Sequence, residues 1–135
     1  MRIVGLGNDL VDIRRIKKSI DRFNNKFMKR IFTENEIKYC ITKGNIPANF
    51  AKRFAAKEAC AKALGTGIAE GVHWKDMDVE NDKFGKPYLC LSGGALRRME
   101  EMTPDGMVYQ IDLTITDEHQ MAQAIVILTV LSEDE

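Results

Sequence analysis

Arg53-Phe54-Ala55-Ala56-Lys57-Glu58-Ala59-Cys60-Ala61-Lys62-Ala63-Leu64-Gly65-Thr66-Gly67 is the stretch around which the rest of the chain is read. Pro47 suits the first turn of a helix, nothing after it breaks the pattern before Leu64, and Gly65-Thr66-Gly67 then forces a turn. At about 100° per residue, Phe50, Phe54, Ala61 and Leu64 form one apolar stripe. Lys57 falls in the middle of that stripe, Glu58 at its edge and Lys62 just beyond. Charges on a stripe that faces a core demand partners.

Upstream, Thr33 and Glu36 have the spacing of a capping box opening another helix, which Lys43 and Gly44 close. Before that, Leu10, Ile13, Ile16, Ile20 and Phe23 recur at three- and four-residue intervals and predict an amphipathic helix. Ile3 to Leu6, interleaved with Gly5 and Gly7, predicts a short buried strand approached closely by another backbone or a ligand, with Asp9 at its carboxyl end. Downstream, Met77 to Glu80 and Tyr88 to Leu91 read as strands joined through Asn81-Asp82 and Gly85-Lys86-Pro87. Gly93 to Met102 reads as a short helix. Val108 to Thr116 and Met121 to Val130 form a last hairpin, with Asp117 and Glu118 in its turn. Helices gather early and strands late, so the expected fold is α+β, one domain over residues 1–135 with an antiparallel sheet packed by helices.

Composition sets the class. The chain has 135 residues, 44% of them hydrophobic, enough for one core. It carries 20 basic and 20 acidic residues, which does not suit a nucleic-acid-coating protein. Residues 12–30 nevertheless hold eight basic side chains against Asp12 and Asp21, a net charge of +6 on one segment. Such a face can meet an acidic protein or phosphates, or simply be solvated. Cys40, Cys60 and Cys90 have no metal or redox spacing and are expected to be buried and inert. The opening residues lack signal-peptide features and the apolar run ending at Leu131 is too short to span a bilayer, so the expected location is the cytoplasm, with no membrane partner. Trp74 and Tyr109 are read as packing residues.

Asp9 can cap a helix or hold a ligand. Glu58 and Lys62 are spaced i, i+4 with the glutamate first, the favourable order for a helical ion pair. Taken together, a strand carboxylate and a helix carboxylate can instead share a hard divalent cation, for which Mg²⁺ fits best. Lys62, about 40° from Glu58 around the helix, would then reach a phosphate on that ion. The glycine turn at 65–67 is either a helix stop or a source of backbone N–H groups for another phosphate oxygen. His73 and His119 assemble with no Cys or Ser into a nucleophile pattern, and no Gly-x-x-x-x-Gly-Lys loop is present.

Gly7-Asn8-Asp9 and Phe54-Ala55-Ala56-Lys57-Glu58-Ala59-Cys60-Ala61-Lys62 resemble the two signatures of the 4′-phosphopantetheinyl transferase superfamily. The short length and the order of Gly5 to Val11, Arg53 to Gly67, Gly85-Lys86-Pro87 and the final hairpin resemble its small bacterial holo-acyl-carrier-protein synthase group. The resemblance implies the fold of that superfamily, with Asp9 and Glu58 as Mg²⁺ ligands. It implies Lys62 beside the coenzyme A pyrophosphate and Gly65, Thr66 and Gly67 around the nucleotide. Arg53, Gly85, Lys86 and Pro87 are further candidates for nucleotide contact. It also implies a homotrimer with coenzyme A between subunits, and an acidic apo-acyl-carrier protein docking on the basic helix at Arg14, Arg15 and Arg22. Where many relatives have a histidine, this chain has Asp117, so the histidine's role does not carry over.

The implied activity transfers the phosphopantetheine arm of coenzyme A to a carrier-protein serine, releasing adenosine 3′,5′-bisphosphate, in support of fatty acid biosynthesis. Glu58 and Lys62 are the catalytic candidates, and the serine proton goes to Glu58 or to a water on the ion. Two rivals use the same residues differently: a Mg²⁺-dependent nucleotide pyrophosphohydrolase, and a noncatalytic module that binds acidic proteins through the basic helix alone.

Overall fold

The computed structural model describes residues 1–135. Strand β1 (Arg2–Asp12) leads into helices α1 (Ile13–Phe23), α2 (Asn25–Ile31), α3 (Glu34–Thr42) and α4 (Ile46–Ala63). A 3-10 turn at Trp74–Asp76 then precedes β2 (Met77–Asn81), β3 (Pro87–Leu91), α5 (Gly93–Glu101), β4 (Met107–Glu118) and β5 (Met121–Ser132). The architecture is α+β, as expected. One antiparallel sheet has the order β1-β5-β4, and β2 and β3 form a separate antiparallel pair.

β5 is the central strand and turns Ala122, Ala124, Val126, Leu128 and Val130 into the core at every second position. Helix α4 lies on that face, and the interface is made close by small residues. A Cβ at Gly7 would overlap the Ala59 carbonyl oxygen, and one at Gly5 the Ala63 carbonyl oxygen. Backbone therefore touches backbone where β1 crosses α4, as the interleaved glycines predicted.

β1 differs from its prediction in length and exposure. It continues through Asp9 to Asp12, so Asp9 sits within the strand, and Asp12 caps α1 by accepting from the Arg14 N–H at 2.9 Å. Ile3, Leu6 and Leu10 are exposed. Leu10 belongs to the strand rather than to the helix whose spacing it matched, and Phe23, at the far end of that helix, is exposed too. Of the predicted apolar face, Ile13 and Ile16 are buried.

The capping box is present: Thr33 Oγ1 accepts from the Glu36 N–H and Glu36 Oε1 accepts from the Thr33 N–H. Asn45, not foreseen as a cap, opens α4 by accepting from the Ala48 N–H at 3.2 Å. The last hairpin is longer than predicted. Asp117 and Glu118 pair with Ala122 and Met121 within the ladder, and His119-Gln120 makes the turn, with His119 at φ 55°. Cys40 and Cys60 are buried, but Cys90 is exposed on β3. Trp74 stacks on Phe54 with centroids 5.1 Å apart, whereas Tyr109 is exposed on β4 rather than packed.

The lysine on the apolar stripe of α4 has the partners it required. Lys57 and Glu36 are both fully buried, with Nζ 2.7 Å from Oε1. Lys57 also donates to the Trp74 and Met77 carbonyls, while Glu36 Oε2 accepts from the Val79 N–H at 2.8 Å. All three ammonium protons are thereby used, and the knot ties α3, α4 and β2 together. Burial opposes both charges, raising the Glu36 carboxyl and lowering the Lys57 ammonium, while their mutual attraction acts the other way.

Candidate active site

Gly5, Gly7, Asp9 and Val11 share the face of β1 turned toward α4, since side chains alternate along a strand. Because Gly7 lies against Ala59, Asp9 is carried beside the next ridge of the helix, which bears Glu58 and Lys62. Lys62 Nζ lies 3.0 Å from Asp9 Oδ1 and 3.0 Å from the Asn8 carbonyl oxygen. The i, i+4 spacing suggested Glu58 as its ion-pair partner, but the contact formed is with Asp9, 53 residues away. Asp9 does not cap a helix. Its side chain is 15% exposed, that of Lys62 52%.

Glu58 has no ion-pair partner within contact distance, and its carboxyl is raised above the ordinary glutamate value. Partial burial is the main cause, followed by the Asp9 charge, and Lys62 opposes both. Two carboxylates that repel across a shared space, with one half-exposed ammonium nearby, form a hard-oxygen donor set whose repulsion a divalent cation would relieve. No group of three or more His, Cys, Asp or Glu residues converges anywhere in the chain. Waters and phosphate oxygens would have to complete the shell of any ion here, the usual arrangement for Mg²⁺. Asp9 and Glu58 therefore fit such an ion.

Arg53 lies five positions before Glu58, about 140° away around the helix, and faces elsewhere. It is 4% exposed, its guanidinium lies 4.0 Å over the Tyr39 ring, and it donates to Asn81 Oδ1 at 2.6 Å. Its Nε is buried without an acceptor. Asn81 in turn donates to the Gly85 carbonyl at 3.0 Å, so Arg53 and the β2–β3 turn meet in one cleft of about 460 Å³. Tyr39, Lys43, Asn81 and Lys83 also line it. Lys86 N–H closes the turn onto Asp82 Oδ1, and Pro87 begins β3; neither lines that cleft.

The Gly65 to Gly67 turn stands apart from both groups. Gly65 and Gly67, at φ 80° and 62°, donate their N–H groups to the Lys62 and Ala61 carbonyls and so stop the helix. Thr66 lines a polar cleft with Gly94, Arg97 and Arg98. Within one chain, then, Asp9, Glu58 and Lys62 come together, Arg53 and Gly85 come together, and the glycine turn joins neither.

Tyr39, Asn81 and Lys43 were not foreseen as companions of Arg53. Only the presence of an arginine in an alanine-rich helix hinted that something must receive it. Asp117 has a partner in Lys52, whose Nζ lies 3.6 Å from Oδ1, tying the hairpin end to α4. On the basic helix, Arg14 is held by Asp12 through two bonds of 2.9 and 2.7 Å, and that guanidinium draws the Asp12 carboxyl down to about 2. Arg15 and Arg22 make no ion pair and are exposed.

The chain belongs to the 4′-phosphopantetheinyl transferase superfamily, whose family model matches residues 5–124. It is 55% identical over 129 residues to the holo-[acyl-carrier-protein] synthase of Parvibaculum lavamentivorans, covering 96% of this chain and 97% of that protein. Among solved structures, the holo-[acyl-carrier-protein] synthase of Neisseria meningitidis superposes with a TM-score of 0.82 at 35% identity, covering 95% of this chain and 99% of that one. That of Bacillus anthracis, in complex with CoA (3′,5′-ADP), superposes with a TM-score of 0.74 at 39% identity, covering 93% and 96%.

Proposed function

We propose that this protein is a holo-acyl-carrier-protein synthase: it transfers the 4′-phosphopantetheine arm of coenzyme A to a serine of apo-acyl-carrier protein and releases adenosine 3′,5′-bisphosphate. The observation that carries the reading is the convergence of Asp9, Glu58 and Lys62 where β1 meets α4, in a chain 55% identical to a holo-[acyl-carrier-protein] synthase. The reaction would serve fatty acid biosynthesis in the cytoplasm.

Asp9 and Glu58 would hold Mg²⁺, which supplies Lewis-acid stabilisation of charge on the pyrophosphate. The serine Oγ attacks the phosphorus bearing the pantetheine arm, the P–O bond to the adenosine bisphosphate breaks, and its electron pair stays on the departing oxygen. Lys62 can place its ammonium on that leaving phosphate, countering the charge that develops there. Glu58 would be placed to receive the serine proton at an oxygen not engaged with the ion.

The cleft at Arg53 and Gly85 would take the nucleotide end of coenzyme A, with Lys86 and Pro87 just outside it in the same turn and Gly65, Thr66 and Gly67 also around the nucleotide. Since Arg53 faces about 140° from Glu58, one chain does not supply both halves of such a site on one surface. This supports active sites built between subunits, as in the homotrimer that the resemblance implies. Exposed Leu6 and Leu10 on the outer face of β1 are an apolar surface for that contact. Arg15 and Arg22, with Arg14 partly neutralised by Asp12, would steer the acidic carrier protein to α1.

Product analysis tests this against hydrolysis. With apo-carrier protein and coenzyme A, adenosine 3′,5′-bisphosphate should form in equimolar amount to modified carrier and should not form without carrier. Carrier-independent cleavage of coenzyme A would contradict the transfer.

A further inference from the structure

We propose that Lys62 competes with the divalent ion for Asp9, so that the ion binds well only when phosphates arrive to draw Lys62 away. This rests on the reading of Asp9 and Glu58 as the ion's ligands. The ammonium lies 3.0 Å from Asp9 Oδ1 and 3.0 Å from the Asn8 carbonyl, and so already sits at the carboxylate an ion would need. Asp9 is largely enclosed, with 15% of its side chain exposed, which leaves little room for water to screen two cations side by side.

Lys62 itself has room to move. Half of its side chain is exposed, and its four-carbon stem lets the charge swing while the helix stays in place. Its only hydrogen-bond partners are at Asp9 and Asn8, and the one other carboxylate whose charge it meets, Glu58, belongs to the same proposed ion site. A bound pyrophosphate offers a second anion, and moving to it leaves Asp9 to the ion. The same side chain thus disfavours the ion on the empty enzyme and stabilises the phosphates once both are present, which makes the two binding events mutually reinforcing.

The test measures Mn²⁺ affinity by EPR, without carrier protein and therefore without turnover, in the presence and absence of adenosine 3′,5′-bisphosphate. Lys62→Met should bind Mn²⁺ alone about tenfold more tightly than the natural protein, equivalent to about 1.4 kcal/mol. Its further tightening on adding the bisphosphate should be smaller, and Lys62→Arg should behave as the natural protein does. Mn²⁺ binding by Lys62→Met no tighter than by the natural protein overturns the competition. Asp9→Asn separates that failure from a deeper one. If Asp9→Asn loses Mn²⁺ while Lys62→Met is unchanged, only the competition is wrong; if Asp9→Asn binds as the natural protein does, the assignment of the ligands falls with it.

Discussion

Of the three lysines on helix α4, Lys57 and Lys62 lie five residues apart, each paired with a carboxylate distant in sequence, and they do opposite things. Lys57 and Glu36 are sealed from solvent, with the ammonium donating to one carboxylate and two backbone carbonyls. Lys62 and Asp9 meet at the surface, with half of the lysine in water. An exposed pair contributes roughly 0–1 kcal/mol, whereas breaking a buried pair by removing one partner costs about 3–5 kcal/mol. The buried pair therefore belongs to the fold, and the pair at Lys62, half in water and adding less to stability, is available to chemistry. Adjacent Lys57 and Glu58 in a single signature divide along the same line: one orients the helix, the other faces Asp9.

Lys57→Met should lower stability by about 3–5 kcal/mol in urea unfolding, because Glu36 would stay buried without its cation. Adding Glu36→Leu should recover part of that loss, and a double variant no more stable than Lys57→Met alone would break the account of the knot. Asp9→Ala and Glu58→Gln should show the converse: unfolding midpoints near those of the natural protein, with transfer reduced about a hundredfold or more, equivalent to about 2.7 kcal/mol. Near-normal turnover by both would erase the distinction between the two pairs. Gly7→Ala lies between them, since its Cβ would meet the Ala59 carbonyl. It should cost about 1–3 kcal/mol and reduce transfer as well, by pushing Asp9 off the helix.

Smaller effects sharpen the picture at the edges. Arg15→Glu should raise the KM for carrier protein about tenfold while leaving that for coenzyme A unchanged; equal changes in both would speak against docking on α1. At pH 8 a thiol reagent should find Cys90 alone in the native protein, and slowly. Burial pushes Cys40 and Cys60 up to about 12, and Cys90, exposed but partly desolvated and bonded to Glu80, reaches about 11. Each should react faster as the pH rises toward its own value, because the thiolate is the reacting species.

Much of this arrangement could be read from the residues. Pro47 and the glycine turn bounded α4, the Thr33–Glu36 spacing gave a capping box, and Lys57 on an apolar stripe announced a buried partner. What failed did so where tertiary contact overrides local pattern. Leu10 matched a helical period yet lies in β1, because the strand's outward face carries Leu6 and Leu10 where alternation alone would expect polar residues. Helix α2 went unseen because Asn24, at φ 51°, breaks a basic stretch that looks continuous in sequence. Lys62 had a favourably spaced glutamate four residues before it, but the approach of β1 brings Asp9 closer.

Intact-protein mass spectrometry of apo-acyl-carrier protein incubated with coenzyme A, Mg²⁺ and this protein decides whether the Asp9–Glu58–Lys62 cluster is a transferase site. The carrier should gain the mass of one phosphopantetheine arm, and should not gain it with chelator, with a carrier Ser→Ala variant or with Asp9→Ala enzyme. A carrier left unmodified under the complete conditions, or modified equally well by Asp9→Ala, would contradict it.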